Sequence, residues 1–268
     1  MVHYGSEWLK KFPAIGCRDE STVNLLEHFG IAAYLTGCFT LTLKPFQNVI
    51  RHGKIILTDL SEEVAGFVKE RVKGECVIVS HYYGEYGEKE QLPQEVLAFA
   101  KEHDKRDIIT TSHYPARRCR KSWSSRRALV EGLLRFYQGA ALVVTSRLHA
   151  ALPCLALGTP VLLVNNKLAD DRFYTFVPYL NHATPEELLS GNYRFDFSEP
   201  KEPPGGHEKF AEKIRSESNN FINCCEQDND NSLIDVETWL DGQKRNLRLK
   251  RIMRVFLSNS RLFNMKSV

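Results

Sequence analysis

Residues 141–164 read ALVVTSRLHAALPCLALGTPVLLV. Ala141–Thr145 is a short apolar run with β-branched residues, Leu148–Leu157 is an apolar stretch of helical length closed by Gly158, and Val161–Val164 is a second apolar run. A strand that is apolar at every position, instead of alternating, buries both of its faces, as in parallel sheets covered by helices on both sides. Glycine just after the last helical residue is the usual stop, because it enters the left-handed conformation without steric cost. The stretch therefore reads as strand, helix, strand in a parallel sheet. His149, Pro153, Gly158 and Pro160 interrupt its apolar character, so it is core and not a membrane span.

The same rhythm extends upstream. Ile55-Ile56-Leu57 is a buried strand, and Ser61 is placed to cap a helix over 62–72. Cys76–Ser80 is the next strand, Pro93 opens a helix reaching about His103, Asp107–Thr111 is a third strand, and Arg126–Tyr137 is a helix. Strands alternating with helices of about ten residues predict an α/β, Rossmann-like lobe. Earlier in the chain, Ala14–Cys17 is a short apolar run, and Val23, Leu25, Leu26 and Phe29 are spaced as a helix that stops at Gly30. Ile31–Leu35 reads as a strand, and Phe39-Thr40-Leu41-Thr42-Leu43 alternates until Pro45 ends it. Downstream, Pro185–Leu189 is a short helix, residues 199–206 form a loop rich in Pro and Gly, and Glu208–Cys225 is helical. The expected divisions are 1–45, the Rossmann-like lobe 46–180, a helical and loop region 181–242, and a basic amphipathic tail 243–268.

The chain has 268 residues, 43% hydrophobic and 26% charged, which is the composition of a soluble globular protein. Its formal charge of +3 hides an asymmetry. Residues 243–268 carry 8 basic and no acidic side chains, which leaves 28 basic against 33 acidic in the remainder. The net sign is therefore no argument for nucleic acid, and none is expected as a partner. The seven cysteines show no CxxC pair, and the nine histidines show no metal-ligand spacing, so no metal is expected. The N-terminus has no apolar segment of signal-peptide length, and the expected location is the reducing cytoplasm.

In a doubly wound sheet, ligands bind beyond the carboxyl ends of the strands, where helix N-termini aim backbone N–H groups outward. The junction Val143-Val144-Thr145-Ser146-Arg147-Leu148-His149 is such a place. Ser146 suits the cap, and Arg147 and His149 fall in the first turn. A cationic and a titratable side chain beside a helix N-terminus suit a small polyanion. The residues leave a second reading open, in which Arg147 pairs with a carboxylate and His149 is an interior histidine.

Two blocks carry a resemblance to a known family. Ile15-Gly16-Cys17-Arg18-Asp19-Glu20-Ser21-Thr22, with Gly30-Ile31 and Thr36-Gly37-Cys38-Phe39-Thr40-Leu41-Thr42-Leu43, is similar to the central block of the polysaccharide pyruvyl transferases. Thr145-Ser146-Arg147-Leu148-His149-Ala150-Ala151, continuing through Pro160-Val161, resembles that family's C-terminal signature, and Asp171-Arg172-Phe173 resembles a segment that follows it. The resemblance spans about Phe12–Phe173. It implies a fold like the GT-B glycosyltransferases, with the site in a cleft between two lobes. Residues 1–45 then stand as the remnant of a truncated first lobe and its crossover. The implied donor is phosphoenolpyruvate, a substrate and not a resident cofactor, and the acceptor is a saccharide that can be lipid-linked.

In the family the Arg-Leu-His element binds and activates the donor, which here assigns Arg147, Leu148 and His149. Ketal formation protonates the donor's methylene carbon and adds sugar oxygens at the carbon beside the carboxylate. Histidine suits the proton transfer, and arginine suits the donor's carboxylate and phosphate. His149 is thus expected as general acid, Arg147 as donor clamp, and Leu148 as a backbone contributor. Arg18 is a second expected clamp, with a structural pairing to Asp19 as its alternative. Arg117, Arg118, Arg120, Lys121, Arg126 and Arg127 form a basic run, either an attractor for an anionic acceptor or a solvated face. His81 and His113 follow strand ends, and Asp171 and Arg172 read as a structural pair. Leu249, Ile252, Phe256 and Phe263 recur at helical spacing in the basic tail, so 243–268 suits peripheral contact with an anionic membrane. A homodimer that rebuilds the cleft is a further expectation. The competing functions are a nucleotide-sugar glycosyltransferase, for which no GxGxxG or P-loop is present, and a non-catalytic relative.

Overall fold

A computed structural model of the protein describes residues 2–80, 108–110 and 123–227. Helix α1 (Val2–Leu9) precedes strand β1 (Ile15–Cys17), helix α2 (Glu20–His28) and strand β2 (Ala33–Leu35). A 3₁₀ turn, Phe39–Thr42, leads to β3 (Ile55–Thr58), α3 (Glu62–Lys69), β4 (Cys76–Ser80) and β5 (Ile108–Thr110). Then follow α4 (Trp123–Gly139), β6 (Leu142–Thr145), α5 (Leu148–Leu157) and β7 (Val161–Val164). The C-terminal elements are α6 (Asp171–Tyr174), a 3₁₀ turn Val177–Tyr179, β8 (Asn181–Ala183), α7 (Pro185–Leu189) and α8 (Glu208–Gln227). The chain divides into a unit covering 1–216 and a second covering 217–268, of which residues 217–227 are described.

The expected α/β parallel sheet is present, with strand order β5-β4-β3-β6-β7-β8 and every pairing parallel. The register sets Ile55 opposite Leu142 and Thr58 opposite Thr145, so β3 and β6 end level. Both are buried along their whole length, as their unbroken apolar runs require. Alternate residues serve two cores. Ile56, Val79, Val143 and Leu163 face α5, with Tyr137 of α4 and Phe210 of α8. Ile55, Leu57, Leu142, Val144, Leu162 and Val164 face Val64 and Val68 of α3, Leu188 of α7 and Phe197.

Local signals act as the residue chemistry predicts. Ser61 caps α3 by accepting from the Val64 N–H at 3.4 Å, and Gly158 ends α5 at φ +68°. Thr184 and Glu187 form a reciprocal capping box on α7. Two elements differ from the sequence reading. Strand β8 extends the sheet by three residues, Asn-His-Ala, whose polar edge character hides it from an apolar-run criterion. Phe39–Thr42 alternates like a strand but forms a 3₁₀ turn. In that geometry residues i and i+3 share a side, which buries Cys38 and Leu41 together and leaves Phe39 70% exposed. Beyond the described residues lie the predicted helix 93–103, His81, His113, Arg117, Arg118, Arg120, Lys121 and the tail 243–268. Among the described residues no helix is long and apolar enough to cross a membrane.

Candidate active site

The carboxyl ends of β3, β6 and β7, three neighbours in the sheet, are tied into one rim. Asp59 follows β3 at φ 50°, the left-handed region that aspartate tolerates better than most residues. Its carbonyl accepts the Ser146 hydroxyl at 2.6 Å, and the Ser146 N–H donates to the Thr58 carbonyl at 3.3 Å. Asn165, just past β7, donates through Nδ2 to the Ser146 carbonyl at 2.8 Å. Ser146 is thus a pin between strand ends and does not cap α5, because its hydroxyl is committed to Asp59. The N-cap position belongs to Arg147, without a side-chain capping bond.

Arg147 donates from Nε to Asp59 Oδ2 at 2.9 Å. The Asp59 side chain is 2% exposed and that of Arg147 is 40% exposed, so a buried carboxylate aims a guanidinium that reaches solvent. An arginine held this way keeps its planar fork for bidentate recognition of carboxylate or phosphate. Beneath the rim, the buried Thr58 hydroxyl meets the Tyr137 hydroxyl at 3.3 Å. Burial is the larger influence on Tyr137 and pushes its phenol up, against the opposing bond to Thr58.

Two residues further, His149 is exposed on the first turn of α5, flanked by buried Leu148 and Ala150. Pro153 sits four residues on and has no N–H, so the His149 carbonyl lacks its usual helical partner. Cys38, 7% exposed, lies in the core that packs against the first turn of α5, with Leu148 and Ala150 on either side of His149. The Thr40 hydroxyl donates to the Cys38 sulfur at 3.0 Å. Burial pushes the Cys38 thiol up, but neighbouring His149 and Thr40 outweigh it and bring it to about 7. Cys17, Cys76 and Cys154 show the opposite outcome, each pushed up by burial. For Cys17 the Asp19 charge pushes the same way, and for Cys76 the Lys69 charge partly opposes the rise.

The remaining predicted residues fall in different settings. Leu148 is 6% exposed and packs in the core beside Leu152 and Ala151. Arg18 donates to Asp19 Oδ2 from Nε at 3.1 Å and from a terminal nitrogen at 2.9 Å. The pairing with Asp19 is therefore present, with the Arg18 side chain 34% exposed. Asp19 also caps α2, accepting the Thr22 N–H at 3.0 Å and the hydroxyls of Ser21 and Thr22. Arg126 and Arg127 lie within α4, and Arg127 is exposed. Asp171 and Arg172 are both exposed and form no ion pair among the described residues; the cap of α6 is Asp170 instead. No group of three or more side chains suited to a metal occurs among the described residues.

Three contributors, Asp59, Cys38 and Thr40, were not assigned from sequence. Asp59 carried a usable signal, since it directly follows a buried strand at the ligand-binding edge. Cys38 and Thr40 carried none as site residues, because the 3₁₀ turn that presents them read as alternating.

The sequence model of the family described as polysaccharide pyruvyl transferase matches residues 3–167, more than half of the chain and inclusive of Cys38, Asp59, Arg147 and His149. No curated protein matches significantly. Among solved structures, the chain matches the crystal structure of the glycosyltransferase SnogD from Streptomyces nogalater at 12% identity and a TM-score of 0.29. That match covers 74% of this chain, which spans 57% of that protein. On the family match over 3–167, the chain belongs to the polysaccharide pyruvyl transferase family, a family of transferases.

Proposed function

We propose that the protein transfers pyruvate from phosphoenolpyruvate to two hydroxyls of a saccharide, forming a ketal and releasing inorganic phosphate. The observation that supports this reading most is the placement of Arg147 and His149 on one solvent-facing turn at the sheet's carboxyl edge, with Arg147 aimed by buried Asp59. Arg147 and the first turn of α5 supply fixed positive potential for the donor's carboxylate and phosphate. His149 gives a proton to the methylene carbon, and the first hydroxyl oxygen bonds to the carbon beside the carboxylate while losing its own proton. Phosphate leaves with its bonding pair, the second hydroxyl adds at the same carbon, and that proton is also released.

Exposure of His149 favours this over a non-catalytic relative, for which a histidine buried in the core would be expected. The proposed acceptor is a sugar of a surface polysaccharide or its lipid-linked precursor, handled in the cytoplasm with the basic tail at the membrane. Calorimetry with phosphoenolpyruvate on the wild type and on Arg147→Gln tests the donor site. Binding by the wild type that weakens by about tenfold or more in the variant supports the assignment; no binding by the wild type overturns it.

A further inference from the structure

Away from the Asp59–Arg147 rim, Arg71 and the run Tyr193–Ser198 line an open pocket of about 440 Å³, a volume in the range of small-ligand sites. Helix α3 starts after the carboxyl end of β3 and runs back along the sheet. Arg71 lies between its end at Lys69 and the start of β4 at Cys76, so the pocket is at the amino edge, opposite the rim. Residues 193–198 read Tyr-Arg-Phe-Asp-Phe-Ser, a strict alternation of aromatic and polar side chains. In extended backbone that pattern sends the two sets to opposite sides. Phe197 is buried and Tyr193 and Phe195 are half-buried, while Arg194, Asp196 and Ser198 are exposed. The aromatic set makes a floor. Tyr193 meets Phe67 of α3 edge-on at 5.8 Å between ring centres and Phe197 at 5.6 Å, and Phe195 meets Phe197 at 5.1 Å. The Arg71 guanidinium lies 3.4 Å from the centre of the Phe67 ring, and its Nη1 donates to the Phe67 carbonyl at 3.0 Å and to Glu70 Oε2 at 3.4 Å. Stacking and bonding thus hold a planar fork whose other N–H donors suit a carboxylate. Asp196 Oδ1 accepts the Ser198 hydroxyl at 2.7 Å and the Ser198 N–H at 2.8 Å, and these bonds hold its carboxyl below the ordinary value. Asp196 is an anion at neutral pH, with further lone pairs for hydroxyl donors.

We propose that this pocket binds a saccharide carrying a carboxylate, at a site apart from the rim that bears Arg147 and His149. Arg71 and Arg194 take the carboxylate, the Tyr193 ring packs against the apolar face of the sugar, and Asp196 accepts sugar hydroxyls. The aspartate selects among anions. It repels a dianionic phosphate, whereas a sugar acid brings hydroxyl donors along with its single charge. The choice of a saccharide follows from membership in a polysaccharide-modifying family. The carboxylate follows from the two guanidiniums, and neither depends on phosphoenolpyruvate being the donor.

The experiment is calorimetry of the full chain with cellobiuronic acid, in which a carboxylate replaces a primary alcohol of cellobiose, and with cellobiose itself. The acid should bind about tenfold more tightly than the neutral sugar, and Arg71→Gln and Arg194→Gln should each weaken it about fivefold or more. Arg194 is exposed, so Arg194→Gln should melt with the wild type and isolates the binding effect from folding. Arg147→Gln should leave the acid's affinity unchanged, because it lies at the other edge of the sheet. Four results overturn the proposal: no binding of the acid by the wild type, equal affinity for acid and neutral sugar, loss of the acid in Arg147→Gln, or displacement of the acid by equimolar inorganic phosphate. Phosphoenolpyruvate binding is measured on the same proteins. Its absence with cellobiuronic acid still bound refutes the donor assignment alone, and its presence without binding of the acid refutes the pocket alone.

Discussion

Arg147 donates from Nε to Oδ2 of Asp59 at 2.9 Å, joining the turn after β6 to the residue after β3. The two positions are 88 apart in sequence, yet the parallel register that sets Thr58 opposite Thr145 makes them neighbours. The carboxylate is withdrawn from water while the arginine remains 40% exposed, so the pair is asymmetric in what each partner loses when broken.

That asymmetry predicts unequal mutants. Arg147→Ala leaves a buried carboxylate without this ion-pair partner and should cost about 1–3 kcal/mol, below the usual figure for a fully buried pair because solvent reaches the arginine. Asp59→Asn should cost less, yet weaken phosphoenolpyruvate binding about tenfold by releasing the guanidinium. Thermal melting of both single variants and the double variant checks this, with a coupling of at least about 0.5 kcal/mol expected. Additive effects would show that the pair is unimportant.

Donor affinity and proton delivery should separate. His149→Gln keeps a ring-sized polar group on the turn and should hold phosphoenolpyruvate within about threefold of wild type, whereas Arg147→Gln should lose about tenfold or more. Calorimetry on the two variants decides it. Equal losses would mean that both side chains clamp the donor.

Gly37 is predicted to be intolerant of any side chain. Its φ of +87° disfavours L-residues, and a Cβ would lie 2.8 Å from Phe210. Gly37→Ala should destabilise the protein by about 1–3 kcal/mol, from the strained backbone and crowding together. A chemical denaturation curve of the wild type and the variant checks this.

Asp19 should shape acid stability. Burial raises its carboxyl, but the bonds from Thr22, Ser21 and Arg18 outweigh that and hold it below the ordinary value of 3.8. The folded state therefore binds its proton less tightly than the unfolded state does. The stability this contributes is complete above the unfolded value and disappears as pH falls through the lower folded one. Asp19→Ala should cost about 1–2 kcal/mol at pH 7, where the charged cap is intact. The gap between wild type and variant should narrow steadily below about pH 4, as urea denaturation in a pH series would record. A gap independent of pH would assign the effect to packing alone.

Much of the fold is legible along the chain because its causes are local. Consecutive apolar residues at 55–57, 142–144 and 161–164 can be satisfied only between two covering layers, so the parallel sheet follows from them. Gly158 and Ser61 stop and start helices through their own backbone and hydroxyl chemistry. The same logic reaches the turn after β6, since a parallel strand followed by a helix places Arg147 and His149 at the ligand-binding edge whatever the rest of the chain does.

Their partners are a different matter. Asp59 meets Arg147 only because β3 and β6 are adjacent and level, and Cys38 joins the core of α5 only because a 3₁₀ turn, released by Gly37 and anchored by Leu41, packs its buried side there. Residue types and short periodicities determined the sheet, its helices and the exposed turn that bears Arg147 and His149. Strand order and packing decided which buried carboxylate aims the arginine, because contacts between distant segments depend on three-dimensional closure that no local pattern encodes.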